Sequence, residues 1–503
     1  MLRPLAVCAV ICLFLNPFNA WAQKDEKTIR PERMPDQEPV VTRHEVTVDG
    51  KTIRYTATAG YMVMKDEDGT HKANVFFVAY TKDGEKDPAG RPITFTFNGG
   101  PGSSSVWLHL GALGPKRVWA NEKGDPPPPP YRLVDNEHSW LDMTDLVFID
   151  PVTTGFSRPA VGEDPKQFHG YREDLESVGE FIRLYASRYE RWASPKFLAG
   201  ESYGTTRASG LSSYLQGRYG LYLNGIVLIS SILNFETARF DVGNDLPYML
   251  FLPTYTATAW YHKQLAPDLQ QDLNAAIEES KAFAMNEYAL ALMKGDAIPA
   301  AEEKMVVATL SRLTGLSEEY VRQTNLRIVI HRFTKELLRD QRRTVGRLDS
   351  RFIGIDRDAA SDGYEYDPSY NTAIYGPYTA MLNDYVRREL KVTNDLPYEI
   401  LTGRVQPWPT SRGSYLNVAE DLRKAMTQNP HLKVFVACGY YDMATPFFAA
   451  DYTFDHLQLD PSLRMNITKA YYESGHMMYI HQPSLKKLKD DVRGFYSTAV
   501  PGK

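Results

Sequence analysis

Cysteine is scarce in this chain of 503 residues: there are three, and Cys8 and Cys12 both sit in an apolar stretch near the N-terminus. With that stretch removed, only Cys438 is left. No internal disulfide can then form, and stability has to come from core burial. Also missing is an apolar run of the roughly 20 residues that a membrane-spanning helix needs. The best candidate, Pro4 to Leu15, is shorter, and Pro17 follows it. Neither sign of charge is in large excess, since 57 Lys and Arg stand against 62 Asp and Glu for a net −5, and a nucleic-acid partner is not expected. His109, His138, His169 and His481 are isolated, without H-x-x-x-H or paired-carboxylate spacing, so no metal site is expected either. No internal repeat is visible.

Apolar residues, by contrast, make up 43% of the chain, which suffices for an extensive core. Met1-Leu-Arg3, the apolar run from Pro4 to Leu15, and Ala20-Trp-Ala22 form the basic start, hydrophobic centre and A-x-A end of an export signal. Residues 1–22 are therefore expected to be a signal peptide and the product periplasmic or secreted. Residues 23–40, polar and Pro-containing, read as a disordered lead. Asn466-Ile-Thr468 is a glycosylation sequon that matters only in a eukaryotic secretory host.

The most informative segment is Lys196-Phe-Leu-Ala-Gly-Glu-Ser-Tyr-Gly-Thr205. It reads as an apolar strand, then Gly200-Glu-Ser202-Tyr-Gly204, then a helix, the pattern of a serine nucleophile on a strained strand-to-helix elbow. Side chains at Gly200 and Gly204 would collide with the neighbouring strand and helix. Such a serine needs a base and an orienting acid, in the chain order Ser, acid, His. The strand pattern Leu432–Ala437 leads into a loop carrying Asp442, and the last strand pattern, Lys469–Glu473, leads into Ser474-Gly475-His476-Met477. Asp442 is the candidate acid and His476 the candidate base. After the strand pattern Pro92–Phe97 comes Asn98-Gly99-Gly100-Pro101-Gly102-Ser103-Ser104, a loop whose bare backbone can approach a substrate carbonyl and hold its oxyanion.

These blocks, with Phe148-Ile-Asp-Pro-Val-Thr-Thr-Gly-Phe-Ser157 between them, resemble the signature blocks of the serine carboxypeptidases in order, over roughly residues 40 to 490. The resemblance implies an α/β-hydrolase fold with a mostly parallel central sheet, helices on both faces and a largely helical cap insertion. It further implies a bacterial-type, carboxypeptidase Y-like exported enzyme that uses no cofactor and removes single residues from peptide C-termini, often best at acid pH. Carried over by position, Ser202 is nucleophile, His476 general base and acid, and Asp442 its orienter. The N–H groups of Gly100 and Tyr203 form the oxyanion hole. Asn98, the N–H of Gly99 and Glu201 bind the substrate's terminal carboxylate, and Trp107 and Met477 line the leaving-residue pocket. A glutamate can bind a carboxylate only if one of the two is protonated. The chain departs from the family pattern at Ala112, where a second carboxylate-binding glutamate is usual, at Ser103 in place of a cysteine, and at Met478-Tyr479 after the histidine. An esterase or acyltransferase on the same scaffold is the nearest alternative, and a catalytically silent binding protein the alternative from another class.

Strand patterns give the core as residues 41–235 and 431–503, beginning with a hairpin at Asp49-Gly50. Residues 236–430 read as a mainly helical cap. Leu326, Val329, Ile330, Phe333 and Leu337 have helical spacing, with Ser317-Glu318-Glu319 as a helix start. The arginines from Arg322 to Arg357 read as a solvated helix face, and the aromatic stretch Tyr248 to Tyr261 as a pocket wall.

Overall fold

A computed structural model describes residues 38–410 and 415–500. The expected signal peptide, and all but the last three residues of the expected lead, lie outside the described residues.

The chain opens with two long antiparallel strands, β1 (Val40–Val48) and β2 (Lys51–Lys65), which pair from Val48↔Lys51 outward. Asp49 and Gly50 between them have φ of +49° and +73°, the left-handed pair that a two-residue hairpin requires. β3 (His71–Lys82) adds a third antiparallel strand. Then follow β4 (Ile93–Phe97), β5 (Asp145–Ile149), β6 (Lys196–Glu201), β7 (Gly225–Ile229), β8 (Lys433–Gly439) and β9 (Ile467–Tyr472). They lie in the order β1-β2-β3-β5-β4-β6-β7-β8-β9, with the two-residue strand Arg158–Pro159 also paired to β3. Pairing is parallel from β5 to β9 and antiparallel on the β1 side.

Every residue of β4, β5, β6 and β7 is buried, as strands covered on both faces must be. The alternation within β6 shows the two layers. Phe197 and Ala199 enter one apolar cluster with Leu488, Val492 and Phe495, whereas Leu198 enters another with Val178, Ile182, Leu211 and Leu215. The helices carrying those partners are α1 (Tyr171–Arg188) and α2 (Tyr203–Tyr219) on one side and the C-terminal helix, Gln482–Ala499, on the other. Among the described residues no helix is long and apolar enough to cross a membrane.

Between β7 and β8 the chain forms α3 (Leu246–Tyr261), α4 (Glu318–Gln323), α5 (Ile330–Glu336), α6 (Gly376–Arg388) and α7 (Ala419–Gln428), among other turns. The C-terminal helix is α8. Phe251, Tyr255, Leu310 and Phe333 belong to a third apolar cluster in this region. Ser317 caps α4, its hydroxyl accepting from the Tyr320 N–H at 3.1 Å. The helix expected to run on through Leu326 breaks instead. Asn325 and Leu326 take φ of +51° and +63°, and the carbonyls of Leu326 and Ile328 accept from the Tyr288 and Tyr255 hydroxyls at 2.6 and 3.2 Å. Those bonds replace helical ones, yet Leu326, Phe333 and Leu337 all still reach the third cluster. The apolar spacing therefore reported burial correctly and continuity wrongly. The sequon asparagine, Asn466, is buried, and its Nδ2 donates to the Pro430 carbonyl at 2.8 Å, so the nitrogen is occupied in the folded chain.

Candidate active site

The end of β6 turns into α2 at Ser202, which takes φ +60° and ψ −130°. An L-residue pays for that conformation with on the order of 1–3 kcal/mol of strain. The flanking glycines make the turn possible. A Cβ on Gly200 would lie 2.2 Å from the Gly204 carbonyl oxygen, and one on Gly204 would lie 2.8 Å from the Phe97 oxygen of β4. Ser202 is thus held at the carboxyl edge of the sheet, where the switch between β4 and β6 opens a crevice.

The loop after β4 closes over this elbow. A Cβ at Gly99 would sit 2.4 Å from the Tyr203 nitrogen and 2.8 Å from the Glu201 oxygen, so the two loops approach as closely as bare backbone permits. Among the described residues, the N–H groups of Gly100 and Tyr203 have no backbone acceptor. That of Tyr203 is free because it opens a helix. The loop is braced at both ends. The Asn98 carbonyl accepts from Arg207 Nη1 at 2.6 Å, and Arg207 is itself buried against Asp174 at 2.8 Å. Further along, Ser104 N–H donates to the Ile400 carbonyl at 3.1 Å and Thr402 N–H to the Gly102 carbonyl at 2.9 Å.

Asp442 and His476 arrive on the loops after β8 and β9. His476 Nδ1 lies 2.7 Å from Asp442 Oδ2. The other carboxylate oxygen accepts from the Ala444 and Thr445 N–H groups at 2.7 and 3.0 Å, and the Thr445 hydroxyl donates to Oδ2 at 2.7 Å. This cage fixes Asp442 as an acceptor for Nδ1–H and leaves Nε2 of His476 as the basic nitrogen. Burial opposes protonation of His476, but the charge and hydrogen bond of Asp442 outweigh it, and the pKa stands above the usual value. The His476 backbone is held as well, its N–H donating to the Leu348 carbonyl at 2.7 Å and its carbonyl accepting from the Ser230 hydroxyl at 2.6 Å.

One cavity of about 480 Å³ is lined by Gly99, Gly100, Trp107, Glu201, Ser202, Tyr203, His476 and Met477 together. Asn98 and Asp442, 1% and 0% exposed, sit behind its wall. The candidate triad, oxyanion-hole, carboxylate-binding and leaving-residue positions are thus gathered at or directly behind one cavity. Glu201 is 3% exposed, and burial pushes its pKa up to about 7, against the opposing pull of His476 and of a hydrogen bond from Tyr479. That bond, Tyr479 Oη to Glu201 Oε2, is 2.5 Å long. Asn98 Oδ1 accepts from the Leu108 N–H at 3.1 Å, and its buried Nδ2 has no acceptor in full hydrogen-bond geometry among the described residues, although the Asn98 side chain also helps hold the Glu201 pKa down.

Three expectations need correction or supplement. The aromatics of α3 do not line the cavity: Tyr248 and Tyr255 bury into the third apolar cluster, and Phe235, Ala238, Ile330, Tyr364 and Tyr370 are among the residues that do line it. The arginine run is not uniformly a solvated helix face. Arg347 lines the cavity, and Arg351 is buried against Asp349 at 2.6 Å. At Ala112, where a second glutamate was sought, the side chain is wholly buried in the apolar cluster that also holds Tyr479. The Tyr479 ring packs so closely that a Cβ on neighbouring Gly111 would meet it at 2.4 Å. Sequence reasoning noted Tyr479 only as a departure from a pattern, and passed over Thr445. A hydroxyl three residues after the acid was the available signal.

A strained serine at a strand-to-helix elbow, followed by an acid and a histidine on later strand-end loops of a mostly parallel sheet, defines an α/β hydrolase. The chain belongs to one family within that class. The profile described as "Serine carboxypeptidase" matches residues 48–489. Pheromone-processing carboxypeptidase KEX1 of Saccharomyces cerevisiae (strain ATCC 204508 / S288c) is 33% identical over 156 residues, 29% of this chain and 20% of that protein. A carboxypeptidase Y homolog of Arthroderma benhamiae is 30% identical over 162 residues, 31% of this chain and 29% of that protein. The aligned part thus covers well under half of these curated relatives. The crystal structure of a prohormone-processing carboxypeptidase, KEX1ΔP from Saccharomyces cerevisiae, superposes with a TM-score of 0.53 at 16% identity, covering 88% of this chain and 91% of that one. At that identity the likeness is one of fold.

Proposed function

We propose that this protein is an exported serine carboxypeptidase that hydrolyses C-terminal peptide bonds through an acyl-enzyme, with Ser202, His476 and Asp442 as its triad. His476 Nε2 takes the Ser202 Oγ proton as Oγ attacks the last peptide carbonyl. Asp442 holds the Nδ1–H and stabilises the imidazolium that forms. The N–H groups of Gly100 and Tyr203 receive the tetrahedral oxyanion. His476 then protonates the departing amine, the terminal amino acid leaves, and water attacks the Ser202 ester by the same route in reverse. No cofactor is needed. Segment 236–430 acts as a cap that supplies one side of the cavity, and Trp107 and Met477 flank the leaving residue.

The observation that carries the exopeptidase reading is Glu201. A buried carboxyl with a pKa of about 7, in the same cavity as Ser202, can keep its proton and donate it to a substrate carboxylate, where an ionised one would repel it. Asn98 Nδ2, buried beside Glu201 and without an acceptor in full hydrogen-bond geometry among the described residues, and the Gly99 N–H are further donors to the same carboxylate. Tyr479 replaces the second glutamate that Ala112 lacks, by fixing Glu201 in place. The test compares a blocked dipeptide with its C-terminal amide and with a short ester, alongside fluorophosphonate labelling. Labelling at Ser202 with a preference for the free acid is expected. A preference for the ester would make this an esterase, and no labelling at Ser202 would make it a binding protein.

A further inference from the structure

We infer that Arg347 makes the cavity selective for peptides with an acidic side chain on one of the two residues flanking the scissile bond, an anion site separate from the one that holds the terminal carboxylate. The inference rests on the carboxypeptidase reading above and specifies its substrate class.

Besides His476 and the tyrosines, four ionisable side chains line the cavity that contains Ser202: Glu201, Asp367, Arg239 and Arg347. The two carboxyls offer little to a cationic substrate. Burial raises the Glu201 pKa to about 7, so it carries only part of a negative charge near that pH. The oxygens of Asp367 already accept from the Arg347 and Leu348 N–H groups at 3.1 and 3.2 Å, from the Ser369 N–H at 2.9 Å, and from the Ser369 hydroxyl. The arginines are in the opposite condition. Nearby Arg339 and Arg351 are ion-paired with Glu336 and Asp349, but among the described residues no carboxylate lies within ion-pair distance of the Arg347 or Arg239 guanidinium. A cation that faces a substrate cavity without a protein counter-ion calls for an anion from the substrate.

The backbone presents Arg347 rigidly. Its N–H is bound to Asp367, its carbonyl accepts from the Met443 N–H at 3.0 Å, and the next residue, Leu348, holds the His476 N–H at 2.7 Å. The arginine is therefore tied to both the acid loop and the histidine loop. These bonds to the acid and histidine loops place it on the histidine side of the cavity that Ser202 lines, within reach of the residues on either side of the scissile bond, and its positive charge acts on His476, opposing protonation. An arginine fork meets a carboxylate in bidentate fashion, and partial desolvation in the cavity strengthens the pair over one on an open surface.

The test uses two series of blocked dipeptides, one with Glu, Gln or Lys in the penultimate position before a constant leucine, the other with the same three residues in the terminal position after a constant phenylalanine. The reading is the ratio of kcat/KM for Glu to that for Gln, with the isosteric Gln peptide as internal control in each variant. Wild type is expected to favour Glu by on the order of tenfold in one series, as a partly desolvated bidentate pair confers, and to disfavour Lys there. In Arg347→Gln that ratio should fall to near one, and Arg347→Lys should keep part of it because the charge is retained. A ratio near one in wild type would overturn the proposal, as would a ratio that survives Arg347→Gln. So would a change in acid-over-amide preference with the Glu-to-Gln ratio unmoved, since the arginine would then serve the terminal carboxylate. If the Gln peptides are hydrolysed without a Glu preference, only this inference fails. If no peptide is hydrolysed, the carboxypeptidase reading fails.

Discussion

Tyr479→Phe removes a single hydroxyl from a buried pair and provides a sharp test of how the carboxylate site is built. The hydroxyl lies 2.5 Å from Glu201 Oε2 and stabilises the ionised form of that carboxyl, drawing its pKa down against the upward push of burial. A hydrogen bond to a charged group contributes roughly 1.5–3 kcal/mol, equivalent to ~1–2 pKa units at 1.36 kcal/mol each. The pKa of Glu201, about 7 in the native protein, should therefore move toward ~8–9 in the variant. The sign of the effect on binding follows directly. Glu201 must be protonated to receive a carboxylate, so the preference for a free-acid peptide over its amide is present below the Glu201 pKa and lost as pH rises through it. Taking the ratio of acid to amide kcat/KM cancels the titration of His476, which both substrates require. The midpoint of that ratio should lie near 7 in wild type and at least one unit higher in Tyr479→Phe. Equal rates of fluorophosphonate labelling would show that the elbow is intact. A midpoint that stayed in place or fell would refute the argument that Tyr479 governs Glu201.

Other substitutions probe the rest of the site. Asp442→Asn should lower kcat by about 10⁴-fold through loss of the correct imidazole tautomer, without changing the folded fraction seen by circular dichroism. Gly99→Ala forces a Cβ to within 2.4 Å of the Tyr203 nitrogen, and should cost on the order of 10²-fold in kcat by displacing the oxyanion donors; activity within twofold of wild type would show that the loop can yield. Ser202→Gly abolishes turnover but removes the strain at φ +60°. Its urea midpoint should rise by an amount worth roughly 1 kcal/mol after the entropic cost of glycine.

What could be read from the sequence divides according to the range of the forces involved. The elbow was legible because Gly200 and Gly204 answer to clashes within a few residues and one adjacent strand. Asp442 and His476 were legible because each follows a strand of the sheet, a buried one for Asp442 and a half-buried edge one for His476, and loops at strand ends carry chemistry. The hairpin at Asp49-Gly50 is purely local. The break after α4 was not legible, since the hydroxyls of Tyr288 and Tyr255 that capture the Leu326 and Ile328 carbonyls come from helices distant in sequence. The aromatics of α3 have the same composition whether they face a core or a cavity, and only packing distinguishes the two. For Tyr479 and Arg347 the local sequence carried no signal, because what each side chain faces is far off in the chain: Glu201 for the tyrosine, and for the arginine the cavity that Ser202 lines.

The brace between the oxyanion loop and residues 400–402 has a consequence for how the chain must fold. Ser104 and Gly102 take their hydrogen bonds from a segment about 300 residues downstream, and β7 pairs with β8 across an intervening stretch of about 200. Closing a loop of that length costs roughly 5 kcal/mol of chain entropy before any contact repays it, and contacts of such sequence separation slow folding. During synthesis the elbow, the loop over it and strands β1 to β7 emerge first, but the site remains incomplete until β8, β9 and the histidine loop have been made. A chain stopped before residue 442 carries Ser202 with neither Asp442 nor His476, one stopped between them still lacks His476, and an oxyanion loop released before residue 400 keeps its Arg207 brace but not the one to Ile400 and Thr402. The ordering of the parts along the chain thus leaves the cavity around Ser202 unassembled until the segment that carries His476 has joined the fold.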